Sequence, residues 1–139
     1  MSTQKGYDSI VKDWLREIFG RGYSTSSGVG IDFGTGCPRA RIDGTIAGRI
    51  AVEIESRVDK QIRGALLDLI CHPLSQKLLI ILPIHMTDAA RTTVMCRNIL
   101  ARFLPANSFR VVLFARETFV EDIREAASEL GWNAAATGC

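Results

Sequence analysis

Three acids stand close together in the first half of the chain: Asp43 in Arg41-Ile42-Asp43-Gly44, and Glu53 and Glu55 in Val52-Glu53-Ile54-Glu55. Glu53 and Glu55 are two apart in a stretch that alternates apolar and polar residues, so on a β-strand they point to one face. Asp43 ends the preceding stretch, Arg39 to Asp43, across a turn bracketed by Gly44 and Gly48. If the two stretches pair as a hairpin, the three carboxylates converge on a small volume. Their repulsion raises each other's pKa unless a cation lies between them. Hard oxygen ligands in an incomplete protein shell suit Mg²⁺ or Mn²⁺, which keep waters and phosphate oxygens as further ligands. The chemistry of such a site is activation of a water and neutralisation of charge on a phosphodiester.

The surroundings are basic. Arg39, Arg41, Arg49, Arg57, Lys60 and Arg63 face only Asp43, Glu53, Glu55 and Asp59 over the same stretch, and a bound metal would cancel the first three acids. Arg57, Lys60 and Gln61 follow Glu55 closely, where a helix is expected to open, and can reach a phosphate. Arg41, Arg49, Arg57, Gln61 and Arg63 are the candidate nucleic-acid contacts, with DNA as the expected partner. A plainer reading also fits: a solvated hairpin face paired to Arg41, Arg49 or Arg57, with Arg57, Lys60 and Arg63 as a solvated helix stripe.

The elements that must hold these residues are legible as periodicities. Tyr7, Ile10, Val11, Trp14, Leu15, Ile18 and Phe19 predict an amphipathic helix over Asp8 to Phe19. Residues 20–36 are rich in Gly and Ser and read as a loop. Ile50 to Glu55 reads as a strand, Val58 to Cys71 as a helix stopped by Pro73, and Lys77 to Leu82 as a strand covered on both faces. Thr87 and Asp88 can cap a helix to Phe103, and Phe109 to Phe114 is a second buried strand. Thr118-Phe119-Val120-Glu121 has the form of a capping box, opening a helix to Leu130. Cys71 and Cys96 read as small core residues, and the tail from Asn133 as frayed. The order predicts an α/β fold, a mixed central β-sheet flanked by helices.

Composition bounds the rest. With 139 residues, 47% of them hydrophobic and 23% charged, the chain is expected to form one domain over 1–139 and is not of the disordered class. A net charge of +2 excludes a polybasic protein, so nucleic-acid binding must rest on local charge. The longest apolar run, Leu78 to Leu82, is too short to span a membrane. Four scattered cysteines and an N-terminus without an apolar segment predict a cytoplasmic protein with reduced thiols.

The residues Arg41-Ile42-Asp43-Gly44, Val52-Glu53-Ile54-Glu55 and the helix Val58 to Cys71 together resemble the PD-(D/E)xK nuclease superfamily, which has the restriction-endonuclease-like fold. The resemblance covers about Asp8 to Phe114, with Val29 to Phe33 as a further short strand. It implies a metal-dependent DNA endonuclease, restriction-type or acting in repair or recombination. It implies Asp43 and Glu53 as metal ligands, joined by the main-chain carbonyl of Ile54, with Glu17 on the first helix as an extra ligand. Glu55 stands where the family has lysine, so the motif here is E-x-E. Glu55 is then the expected catalytic group at the water, unless Lys60 supplies a migrated lysine. A homodimer, one strand cut per subunit, is the expected assembly. The missing lysine favours the alternative, a non-catalytic nuclease-fold module that binds nucleic acid or a protein partner.

Overall fold

The computed structural model describes residues 6–25, 30–58 and 60–133. Val29, the expected start of the extra strand, Asp59 and the tail from 134 lie outside them. The elements are α1 (Tyr7–Phe19), β1 (Tyr23–Ser24), β2 (Gly30–Ile31), β3 (Ala40–Arg41), β4 (Gly44–Ile46), β5 (Ile50–Glu55), α2 (Lys60–Cys71), β6 (Gln76–Ile81), α3 (Ala89–Phe103), β7 (Phe109–Leu113) and α4 (Phe119–Glu129).

The chain is an α/β protein built on a mixed five-stranded sheet in the order β1-β4-β5-β6-β7. β5, β6 and β7 are parallel, joined by α2 and α3; β4 runs antiparallel to β5, and β1 antiparallel to β4. Strand alternation divides the core into two layers. Ile50, Val52 and Ile54 of β5, with Leu78 and Ile80 of β6, meet Val11 and Leu15 of α1 and Phe119 and Ile123 of α4. Ala51 of β5, with Leu79 and Ile81 of β6, meets Ile62, Leu66 and Leu69 of α2 and Cys96 and Leu100 of α3. Glu53 and Glu55 share the parity of Ala51, so they project into the α2 layer.

The hairpin differs from its expected form. β5 pairs with Gly44–Ile46, not with Arg39–Asp43, and the turn runs through Ala47 and Gly48, at φ 55° and 62°. Gly48 tolerates that left-handed backbone; Ala47 adopts it despite its Cβ. Arg41 pairs instead across β2 in a separate two-stranded ribbon. The pattern missed this because Gly44-Thr45-Ile46 reads as a turn by composition, while its three residues are buried in the sheet. Gly44 is required there: a Cβ would lie 2.6 Å from the Tyr23 hydroxyl and 2.8 Å from the Ser24 carbonyl oxygen.

Two smaller expectations also change. Thr118 forms no capping box: its hydroxyl donates to Asp122 Oδ2 at 2.7 Å, and its side chain caps no N–H. Cys71 is exposed rather than in the core, whereas Cys96 is fully buried. Asp88 caps α3 as expected, accepting from the Arg91 N–H.

Candidate functional site

β4 and β5 bring Asp43 and Glu53 together by register. Gly44 lies opposite Val52, so one further step along both strands sets Asp43 opposite Glu53. β4 has ended by then, and the backbone groups freed at this step are satisfied by the two carboxylates. The Asp43 N–H donates to Glu53 Oε1 at 2.9 Å, and the Ile54 N–H donates to Asp43 Oδ2 at 2.7 Å. Each acid is thus fixed by the other's strand. Asp43 Oδ1 is left for Lys12 on α1, whose Nζ lies 3.5 Å away. Asp43 stands at the joint of the two core layers, with Glu53 on the α2 side and Lys12 on the α1 side.

The pair is electrostatically strained. Glu53 is 7% exposed. Burial pushes its pKa well above the usual carboxylate range, and the neighbouring Asp43 and Asp68 push it further. Asp68 of α2 is itself raised, first by burial and then by Asp43. Tyr23, whose hydroxyl lies 3.5 Å from the Asp43 carbonyl oxygen, is likewise raised by burial and by the Asp43 charge. Among the described residues one lysine faces Asp43 from α1, and the acids outnumber it. A proton or a further cation must make up the balance.

Glu55 is also buried, 5% exposed, and shares Glu53's face, yet it does not join the pair. Its Oε2 accepts from the N–H groups of Ser56 and Arg57 at 3.1 and 2.8 Å and from Arg57 Nε at 2.8 Å, and its Oε1 from Arg57 Nη2 at 3.1 Å. Among the described residues no group of three or more His, Cys, Asp or Glu side chains is placed to hold a metal ion. The expected convergence of Asp43, Glu53 and Glu55 on one cation is therefore corrected to a pair.

Strand geometry directs a third oxygen to the same strand edge as the pair. In a strand the N–H and C=O of one residue point to the same side. The Ile54 N–H faces Asp43, so the Ile54 carbonyl opens along the same edge, while the Glu55 carbonyl accepts from Leu82 on the other side. Two carboxylates and one carbonyl fit an ion such as Mg²⁺ that keeps several waters.

The other expected residues scatter. Lys60 and Gln61 are exposed in the first turn of α2, and Arg63 is exposed one turn on. Arg57 is exposed but pinned to Glu55, and it also feels the charges of Asp43 and Asp8. Arg41 is exposed on the ribbon, its Nη2 donating to the Thr25 carbonyl at 3.2 Å. Arg49 sits in the hairpin turn at the far end of β5, roughly 13 Å from Glu53 at 3.3 Å per residue. Glu17 lines a depression with Trp14, Ile18, Val120 and Arg124 at the α1–α4 seam, and is not brought to the pair. Lys12 and Asp68 were not legible as site residues. Each flanks the buried stripe of its helix, beside Val11 and Leu69, and nothing in a helical period says which strand end it will meet.

A cavity of about 510 Å³ is lined by Val58, His85, Thr87, Asp88, Arg91, Thr92 and Met95. It lies toward the carboxyl ends of the parallel strands, where ligands of open α/β sheets bind. Comparison with protein-family models, curated proteins and solved structures finds no match to this chain. No described helix is long and apolar enough to cross a membrane.

Proposed function

We propose that this protein is a metal-dependent DNA endonuclease with a restriction-endonuclease-like arrangement of its sheet and site. The observation that carries the reading is the Asp43–Glu53 pair: two acids locked by reciprocal main-chain bonds, partly desolvated, and short of positive charge. Mutual repulsion of this kind persists in a fold when a cation is to be held there. A bound Mg²⁺ or Mn²⁺ supplies activation of water and neutralisation of charge on a phosphodiester. Asp43, Glu53 and the Ile54 carbonyl are the residues that would hold it.

The remaining roles belong to the chain's own groups. Glu55 holds the Arg57 guanidinium in one orientation beside the pair, so Arg57 is the cation best placed to meet a phosphate of the substrate. With four N–H groups already donated to it, Glu55 is a positioning residue for Arg57 rather than the base at the water. Arg63, Gln61 and Lys60 continue an exposed polar and basic face along α2 for a DNA backbone. A homodimer, each subunit cutting one strand, fits a chain of 139 residues acting on duplex DNA.

The test is calorimetric titration with MnCl₂ alongside cleavage of supercoiled plasmid. Wild type is expected to bind one Mn²⁺ and to nick or cut DNA; Asp43→Ala is expected to do neither. Full cleavage by Asp43→Ala would refute the assignment. The engagement of Glu55 with Arg57 favours a second reading, a DNA-binding module of the same fold without catalysis. Metal and DNA binding without cleavage of linear, nicked or branched substrates would select it.

A further inference from the structure

Lys12 lies outside every sequence motif of the site, yet it is the cationic group in contact with Asp43. Its Nζ is 3.5 Å from Asp43 Oδ1, and both side chains are 25% exposed. The oxygen it takes is the one left over after main-chain bonding. Asp43 Oδ2 holds the Ile54 N–H, Glu53 Oε1 holds the Asp43 N–H, and those bonds pin the strand edge. Asp43 and Glu53 are the residues that would hold a divalent ion, and the Asp43 oxygen not taken by a main-chain N–H is the one the ammonium faces.

Other cations near the site are engaged elsewhere. Arg57 is bonded to Glu55, and Arg16, one turn after Lys12 on α1, pairs with Asp13 and lies over the Tyr23 ring. Lysine suits the task because its charge sits at the end of a flexible four-carbon stem whose ammonium can turn toward solvent while the stem stays against the protein. Lys12 is carried by a helix whose Val11 and Leu15 are anchored in the core. Its reach to Asp43 is set by packing on the α1 side of the sheet and not by the hairpin.

We propose that Lys12 is a built-in counter-cation of the acid pair, a monovalent stand-in that occupies the divalent site in the metal-free protein and is displaced when the metal binds. This rests on the metal-centre reading given above. In the metal-free state the ammonium offsets part of the repulsion that would otherwise push Asp43 and Glu53 apart. On loading, the divalent ion must compete with it, so Lys12 weakens metal affinity and sets a threshold concentration below which the site stays closed. The ammonium released at that moment is a free cation at the mouth of the site.

The experiment is MnCl₂ titration of the full chain by calorimetry for wild type, Lys12→Gln, Lys12→Arg and Arg21→Gln. Arg21 is exposed on the turn after α1, so its variant removes the same charge without the contact. Lys12→Gln is expected to bind Mn²⁺ roughly tenfold more tightly than wild type, from direct competition at close range. Arg21→Gln should stay within about twofold, because exposed charges at a distance are screened. Lys12→Arg should retain the weaker affinity. Acetylation of the native protein, read by mass spectrometry, gives a second measure: Lys12 should react faster with Mn²⁺ than with chelator, relative to exposed Lys60. Equal affinities for Lys12→Gln and Arg21→Gln, or slower acetylation of Lys12 with Mn²⁺, would overturn the proposal while leaving the metal centre standing. If neither wild type nor Lys12→Gln binds Mn²⁺, the metal centre itself falls and takes the proposal with it.

Discussion

Glu53 and Glu55 sit two residues apart on β5, on one face and equally buried, yet they occupy opposite electrostatic worlds. Glu55 is surrounded by donors: two backbone N–H groups and two guanidinium nitrogens converge on its oxygens. Glu53 accepts one backbone N–H and faces two further acids, Asp43 and Asp68. Burial alone does not make a cation site. A buried carboxylate that the chain compensates is a structural post. One that the chain leaves short of positive charge is where a proton or a metal must enter.

The largest effect should come from removing the uncompensated side. Asp43→Ala or Glu53→Ala is expected to lower Mg²⁺-dependent plasmid cleavage by roughly a hundredfold or more, the cost of losing one preorganised electrostatic contact. Circular dichroism should show an unchanged fold. Cleavage within a few-fold of wild type would erase the distinction between the two corners.

Stability in chelator should sharpen the contrast by sign. Glu53→Gln keeps an oxygen for the Asp43 N–H and replaces the ionisable carboxyl with a neutral amide that can donate to Asp43. At neutral pH it should raise stability by about 1–3 kcal/mol, since folding no longer has to take up a proton onto a carboxyl that is ionised in the unfolded chain. The pH dependence follows from the same shift. The folded-state pKa of Glu53 lies above its ordinary 4.5, so the fold favours the protonated carboxyl. That contribution is whole below about pH 4.5 and is lost as pH rises through the raised value. Thermal melting in chelator should thus show this contribution fading toward alkaline pH in wild type and absent in Glu53→Gln. Saturating Mn²⁺ should restore stability to wild type and do little for the variant.

Glu55→Gln should act in the opposite direction and more weakly. It removes the charge that holds Arg57, but the Arg57 side chain is 67% exposed, so solvent screens the pair. A loss of about 0.5–1 kcal/mol is expected, with cleavage lowered no further than in Arg57→Ala. If Glu55→Gln instead abolishes cleavage while Arg57→Ala is mild, Glu55 acts on the water directly.

The smallest effect belongs to Lys60. It is exposed at the start of α2 and, among the described residues, pairs with neither Asp43 nor Glu53. Lys60→Ala should change cleavage less than Lys12→Ala or Arg57→Ala at low salt, and the small difference should vanish at high salt, as for a phosphate contact. A severe loss would return the migrated-lysine role to Lys60.

Much of this molecule was written locally in its sequence. The apolar periods of α1, α2 and α3 and the unbroken runs of β6 and β7 placed those elements to within a residue or two, because a core face imposes its own spacing. That Asp43 and Glu53 lie near one another was legible because both flank one short hairpin, but their register was not, since a turn over residues 44–48 would have faced Asp43 to the start of β5. The hairpin's bounds were not legible, since Gly44-Thr45-Ile46 is turn-like by composition and becomes a strand only because Tyr23 and Ser24 pack and pair along it. The fate of Glu55 was likewise hidden, because alternation states which face a side chain takes and not which donors await it. Lys12 and Asp68 come from two different helices in the two core layers. Their arrival beside Asp43 depends on how α1 and α2 seat on the sheet, a long-range packing outcome that local periodicity does not encode.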